Sequence, residues 1–89
     1  MEISVLQSLI DRTSNEISGH ELSIQYNRRA LASGGVPPWE RDQLYFSILC
    51  SEQRLPKLRN IQKALKKEIA HHIKCARLFR EYTKTFKRV

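Results

Sequence analysis

Ile3 to Leu31 reads ISVLQSLIDRTSNEISGHELSIQYNRRAL, with Ile3, Ile10, Ile17, Ile24 and Leu31 one heptad apart. A heptad of aliphatic residues places one narrow stripe along a helix, aimed at a second helix. The alternate seam positions are Leu6, Thr13, His20 and Asn27. Together the nine positions step by three and four without a miss, which is coiled-coil spacing. The seam is lopsided, because its second position turns polar after Leu6. Polar seam residues weaken a coil but fix its register or partner. The stretch from Thr13 to Gly19 is a poor helix former, and Thr13…Glu16 and Ser18…Glu21 both match a capping box. A break is conceivable there. The unbroken register of the stripe favours one helix over 2–31.

Ser33-Gly34-Gly35-Val36-Pro37-Pro38 marks a loop over 32–38. Glycine takes the left-handed conformation that ends a helix, and Arg28 and Arg29 complement the negative end of the first helix. Pro38 suits the first turn of the next helix, where Glu40 and Asp42 meet its positive end. A loop this short makes the two helices antiparallel neighbours. Trp39 is expected to pack across the mouth of the turn, with a partner-binding anchor as the sharper alternative.

The remainder is helical in pattern, with Leu44, Ile48, Leu55, Leu58, Ile61, Leu65, Ile69, Ala76, Phe79 and Phe86 on its apolar side. Pro56 interrupts it, dividing the arm into segments 39–55 and 57–87. An interior proline removes a hydrogen bond and clashes with the preceding turn, at about 3 kcal/mol. A kink is favoured over a reversal, although Pro56 also fits the first position of a third helix. The fold expected is all-α: an antiparallel, coiled-coil-like hairpin in one small domain spanning 1–89. Its long second arm is completed as a three-helix bundle or a homodimer.

Antiparallel pairing about the loop matches positions whose numbers add to about 72. Ile24 then faces Ile48, Ile17 faces Leu55, Ile10 faces Ile61 or Gln62, and Ile3 faces Ile69. The first helix ends opposite about residue 70 on this count. Leu78, Phe79, Tyr82 and Phe86 are left over at helical spacing. Exposed aromatics in water are unfavourable, so these four and Trp39 are the expected partner-binding residues.

The net charge of +7 is unevenly spread: residues 1–53 carry four Lys or Arg against seven acids, and residues 54–89 carry twelve against two. Lys63, Lys67, Lys74, Arg77, Lys84 and Arg88 recur on one helical side, flanked by Arg59, Lys66, Arg80 and Lys87. Such a cationic rod can follow a phosphate backbone by charge pairing and counterion release. The bland alternative is a solvated helix face, which fits less well where only Glu68 and Glu81 offset the charge. An acidic protein surface is the other ligand for the same face. Nothing reads bases: zinc-finger, RNA-recognition and helix-turn-helix patterns are absent.

Other chemistry is thin. His71, His72 and Cys75 place two soft ligands a turn apart, short of the four that tetrahedral zinc requires. Gly34-Gly35 lacks the Lys-Ser/Thr of a phosphate-binding loop, and no nucleophile with an oriented base is apparent. No enzyme activity, metal or cofactor is expected. Cys50 and Cys75 read as reduced, buried or half-buried thiols. No apolar run reaches the roughly 18 residues of a bilayer span, and an amphipathic membrane-surface helix is disfavoured against a bundle face. Met1-Glu2-Ile3 does not open a signal peptide, so a cytoplasmic protein is expected.

The leading expectation is a non-enzymatic regulatory or accessory protein. It would bind nucleic acid through its C-terminal helix without strong sequence preference. The alternative is an adaptor or inhibitor that docks on a larger, DNA-processing host enzyme, as small mobile-element proteins do.

Overall fold

A computed structural model describes the backbone of residues 2–87 and the side chains of residues 2–84. Two helices make up the fold: α1 (Ile3–Ala32) and α2 (Pro38–Lys87). They pack against each other as an antiparallel hairpin whose second helix is much the longer, at 50 residues against 30.

α1 passes through the weak stretch at 13–19 without a break. Tertiary contact overrides propensity there, because Thr13 is buried and Ile17 and His20 are half-buried against α2. The Thr13 hydroxyl donates to the Ile10 carbonyl at 2.8 Å, so its burial strands no donor. Eight of the nine seam positions are buried or half-buried; Ile3, at the open end, is exposed. The Ser33 N–H closes on the Arg29 carbonyl at 3.1 Å, and Gly34 follows at φ 75°. Only a residue without a side chain takes that conformation freely, and the chain leaves the helix there. Pro37 offers its carbonyl to the N–H groups of Glu40 and Arg41, and Pro38 opens α2 as its lack of an N–H permits.

Pro56 lies inside α2, which continues past it. The segments expected over 39–55 and 57–87 are one helix, and no third helix folds back among the described residues. Leu55 and Leu58 explain this: they flank the proline and both are buried, Leu58 to 2 % exposure. Their packing on α1 holds the helix where a missing hydrogen bond would loosen it.

The core is a single seam. Ile24, Ile48 and Leu55 cluster with Ile17 and Leu31, as the antiparallel count requires. On α2 the seam runs Leu44, Ile48, Ser51, Leu55, Leu58, Gln62, Leu65, Ile69, His72, stepping by four and three, and all nine are buried or half-buried. Ile61 is therefore not in it. It is 45 % exposed, while Gln62 donates to the Ser14 hydroxyl and lies 3.5 Å from the Ile10 carbonyl. Polar seam residues meet polar partners. Asn27 Nδ2 donates to Ser47 Oγ at 3.2 Å, and His20 Nδ1 lies 3.1 Å from Ser51 Oγ. No buried side-chain N or O among the described residues lacks a hydrogen-bond partner.

Ile3 lines a shallow depression with Ile73, Ala76, Arg77 and Arg80. α1 thus reaches one to two turns further along α2 than its expected pairing with Ile69. Beyond Ala76 the described helix runs on past the end of α1 for a length of roughly 16 Å at 1.5 Å per residue.

Candidate nucleic-acid interface

The α2 seam fixes where every other residue of that helix points. Measured against its 3.5-residue repeat, Arg59, Lys63, Lys66, Lys67, Lys74, Arg77, Arg80 and Lys84 fall within roughly 100° of arc, to one side of the seam. All eight are exposed. Arg59 is not available as a free charge, because its guanidinium pairs with Glu21 at 2.9 Å. Among the described residues no ion pair involves the other seven. From Lys63 to Lys84 this row extends about 32 Å along the axis. Lys87, Arg88 and Phe86 of the expected set lie outside the described side chains.

Most acids sit elsewhere, although Glu81, one heptad after Lys74, falls inside the arc. Glu16 and Glu21 on α1 meet Arg54 and Arg59, and Glu52 meets Arg28 across the hairpin. Glu68 faces His72 at 3.4 Å on the other side of α2. These exposed pairs add little stability, at most about 1 kcal/mol each. Their effect on the site is to use up carboxylates near the loop end and leave the cationic row beyond Arg59 with few counter-charges.

The expected partner-binding residues whose side chains are described are also exposed, and they form two groups. Leu78, Phe79 and Tyr82 lie on the overhang, with Phe79 69 % exposed. Trp39 stands at the loop end, 67 % exposed, so it does not bury itself across the mouth of the turn as expected. Nor is it alone: Tyr45, Phe46 and Leu49 are exposed beside it at helical spacing. They occupy the same arc of α2 that turns basic after Arg59. Sequence reasoning missed these three. Their spacing from Trp39, at 39, 46 and 49 against a seam at 44, 48 and 51, was the available signal.

Both cysteines are free and exposed, not buried or half-buried as expected. Each falls outside the α2 seam, where α1 does not cover it. Cys75 Sγ lies 3.5 Å from His71 Nε2, and the rings of His71 and His72 meet edge-on. Among the described residues no three His, Cys, Asp or Glu side chains gather as a metal site requires. No helix of the described residues is long and apolar enough to cross a membrane. No family model, curated protein or solved structure matches the chain.

Proposed function

We propose that this hairpin is a non-enzymatic accessory protein that binds nucleic acid along the cationic arc of α2, without strong sequence preference. The supporting observation is the row Lys63, Lys66, Lys67, Lys74, Arg77, Arg80 and Lys84: exposed, on one side of one helix, and in no ion pair among the described residues. A straight row of cations meets phosphates at many registers and reads no base edges, so affinity comes from counterion release. The packed seam beneath Lys63, Lys66, Lys67 and Lys74 holds that part of the row straight before the ligand arrives, which lowers the ordering cost of binding.

The test is fluorescence anisotropy with labelled single-stranded and duplex oligonucleotides of unrelated sequences. Affinity should fall by about a hundredfold or more between 50 and 200 mM salt. Lys63→Glu, Lys67→Glu, Lys74→Glu and Arg77→Glu combined should abolish binding while helicity by circular dichroism is retained. Undiminished binding by that variant would sink the proposal. The second reading, a protein-binding adaptor or inhibitor, draws on the exposed Trp39, Phe46 and Phe79. It expects nuclease-resistant capture of a protein, with single aromatic truncations costing more than single charge changes.

A further inference from the structure

The seam of α2 does not stop where α1 does. Ala76, Phe79 and Thr83 extend the alternation of four and three that runs from Leu44 to His72. Upstream, each such position is covered by α1. On the overhang Phe79 is 69 % exposed, with Leu78 and Tyr82 exposed beside it. The chain itself shows what this seam accepts. α1 lies antiparallel along it, offers aliphatic residues to the stripe, and sets Glu16 and Glu21 against Arg54 and Arg59 on the flanks. The overhang repeats the basic half of that arrangement, since Arg77 and Arg80 border the open seam and Lys84 follows one turn later.

We infer that the overhang docks a short acidic amphipathic helix of another protein, laid end to end with the N-terminus of α1. Charge complementarity selects this occupant over a second copy of the chain. Two overhangs laid together would crowd Arg77, Arg80 and Lys84 against their duplicates, with Glu81 the only carboxylate that the described overhang carries. The face shares Arg77, Arg80 and Lys84 with the cationic arc, but Lys63, Lys66 and Lys67 stand on the hairpin before the overhang begins. Lys63 and Lys67 lie two or more turns before Phe79 and do not border the open seam, so they report on the oligonucleotide, and Phe79 reports on the docked helix.

The test uses the full chain and a labelled synthetic peptide of three heptads, with Leu at the seam positions and Glu on the flanks. Two control peptides replace Leu with Ser or Glu with Lys. The Leu/Glu peptide should bind, and each control should bind at least about tenfold more weakly. Phe79→Ala should weaken the Leu/Glu peptide by a similar factor without changing circular dichroism, because Phe79 supports no contact within the hairpin seam. Amide hydrogen exchange should show new protection around residues 76–83 alone. The inference is overturned if the Ser peptide binds as well as the Leu peptide, if the Lys peptide binds as well as the Glu peptide, or if none binds. It is equally overturned if light scattering finds a dimer that Phe79→Ala dissociates, since a second copy then covers the face. Failure here is separable from failure of the nucleic-acid reading: Phe79→Ala should leave oligonucleotide affinity unchanged, and Lys63→Glu with Lys67→Glu should leave peptide affinity unchanged. Loss of oligonucleotide binding in Phe79→Ala would assign the face to nucleic acid instead.

Discussion

Leu58 and Asn27 show how differently single residues serve one seam. Leu58 is 2 % exposed beside Pro56, and its side chain has nowhere to relax if shortened. Leu58→Ala should cost about 2–5 kcal/mol. A small domain has little stability to lose, so the variant should be largely unfolded in dilute buffer, as a urea titration by circular dichroism would show. Asn27 is buried between Ile24 and Leu31, where its amide donates to Ser47 and Ser23. A hydrogen-bonded amide in a seam contributes less than an aliphatic residue of similar size, but it specifies alignment. Asn27→Leu should therefore raise the urea midpoint, by about 1–2 kcal/mol in stability, since Ser23 and Ser47 are only half-buried and water can satisfy them. It should also relax the pairing register, seen as broadened or doubled amide resonances. A lowered midpoint would mean that the amide stabilises the hairpin as well as aligning it.

At the scale of an element, the two helices differ in how far their sequences declare them. α1 was legible to within a residue at each end, because a strict heptad carries its register through even the Thr13–Gly19 stretch. α2 was legible as a helix but not as a seam. Its apolar residues, taken by hydrophobicity, include Ile61; taken by spacing from Leu44, Ile48, Ser51, Leu55 and Leu58, the next position is Gln62, and Gln62 is the residue that packs. Polar residues hide a seam from any reading that searches for apolar ones. Pro56 was undecidable locally, since its penalty acts through the backbone while its outcome depends on Leu55 and Leu58 binding a helix thirty or more residues earlier. The exposure of the described cations from Lys63 to Lys84 was legible because charge needs no partner to be seen, whereas the pairing of Arg59 with Glu21 was not. The Tyr45–Leu49 patch was missed because exposed aromatics and core aromatics look alike until the seam is placed. If packing holds α2 together against its proline, removing the proline should help. Pro56→Ala, at an exposed position, restores a backbone N–H and should stabilise the hairpin by about 1–3 kcal/mol in urea unfolding, with helicity unchanged or higher. A destabilised variant would mean that the ring itself shapes α2 to fit α1.

At the scale of the whole molecule, length is the variable on which the open seam of the overhang depends. The hairpin measures 78 × 16 × 15 Å with a radius of gyration of 21.7 Å, where a globular chain of this size would have about 12 Å. An unbroken α2 produces that length, because 50 residues at 1.5 Å rise extend about 75 Å. Such a rod keeps its cations in a line and carries its overhang clear of α1. A fold-back at Pro56 would lay the seam of the overhang against the hairpin and remove the docking face, while the cationic row, which begins past Pro56 at Lys63, would stay on one helix. Small-angle scattering of the free protein should thus give a radius of gyration near 22 Å with a rod-like distance distribution ending near 80 Å. A value close to 12 Å would reveal a folded-back bundle. A larger value with doubled mass would instead reveal overhangs joined end to end. The same measurement on Pro56→Ala should be unchanged, which would tie the molecule's length to seam packing and not to the proline.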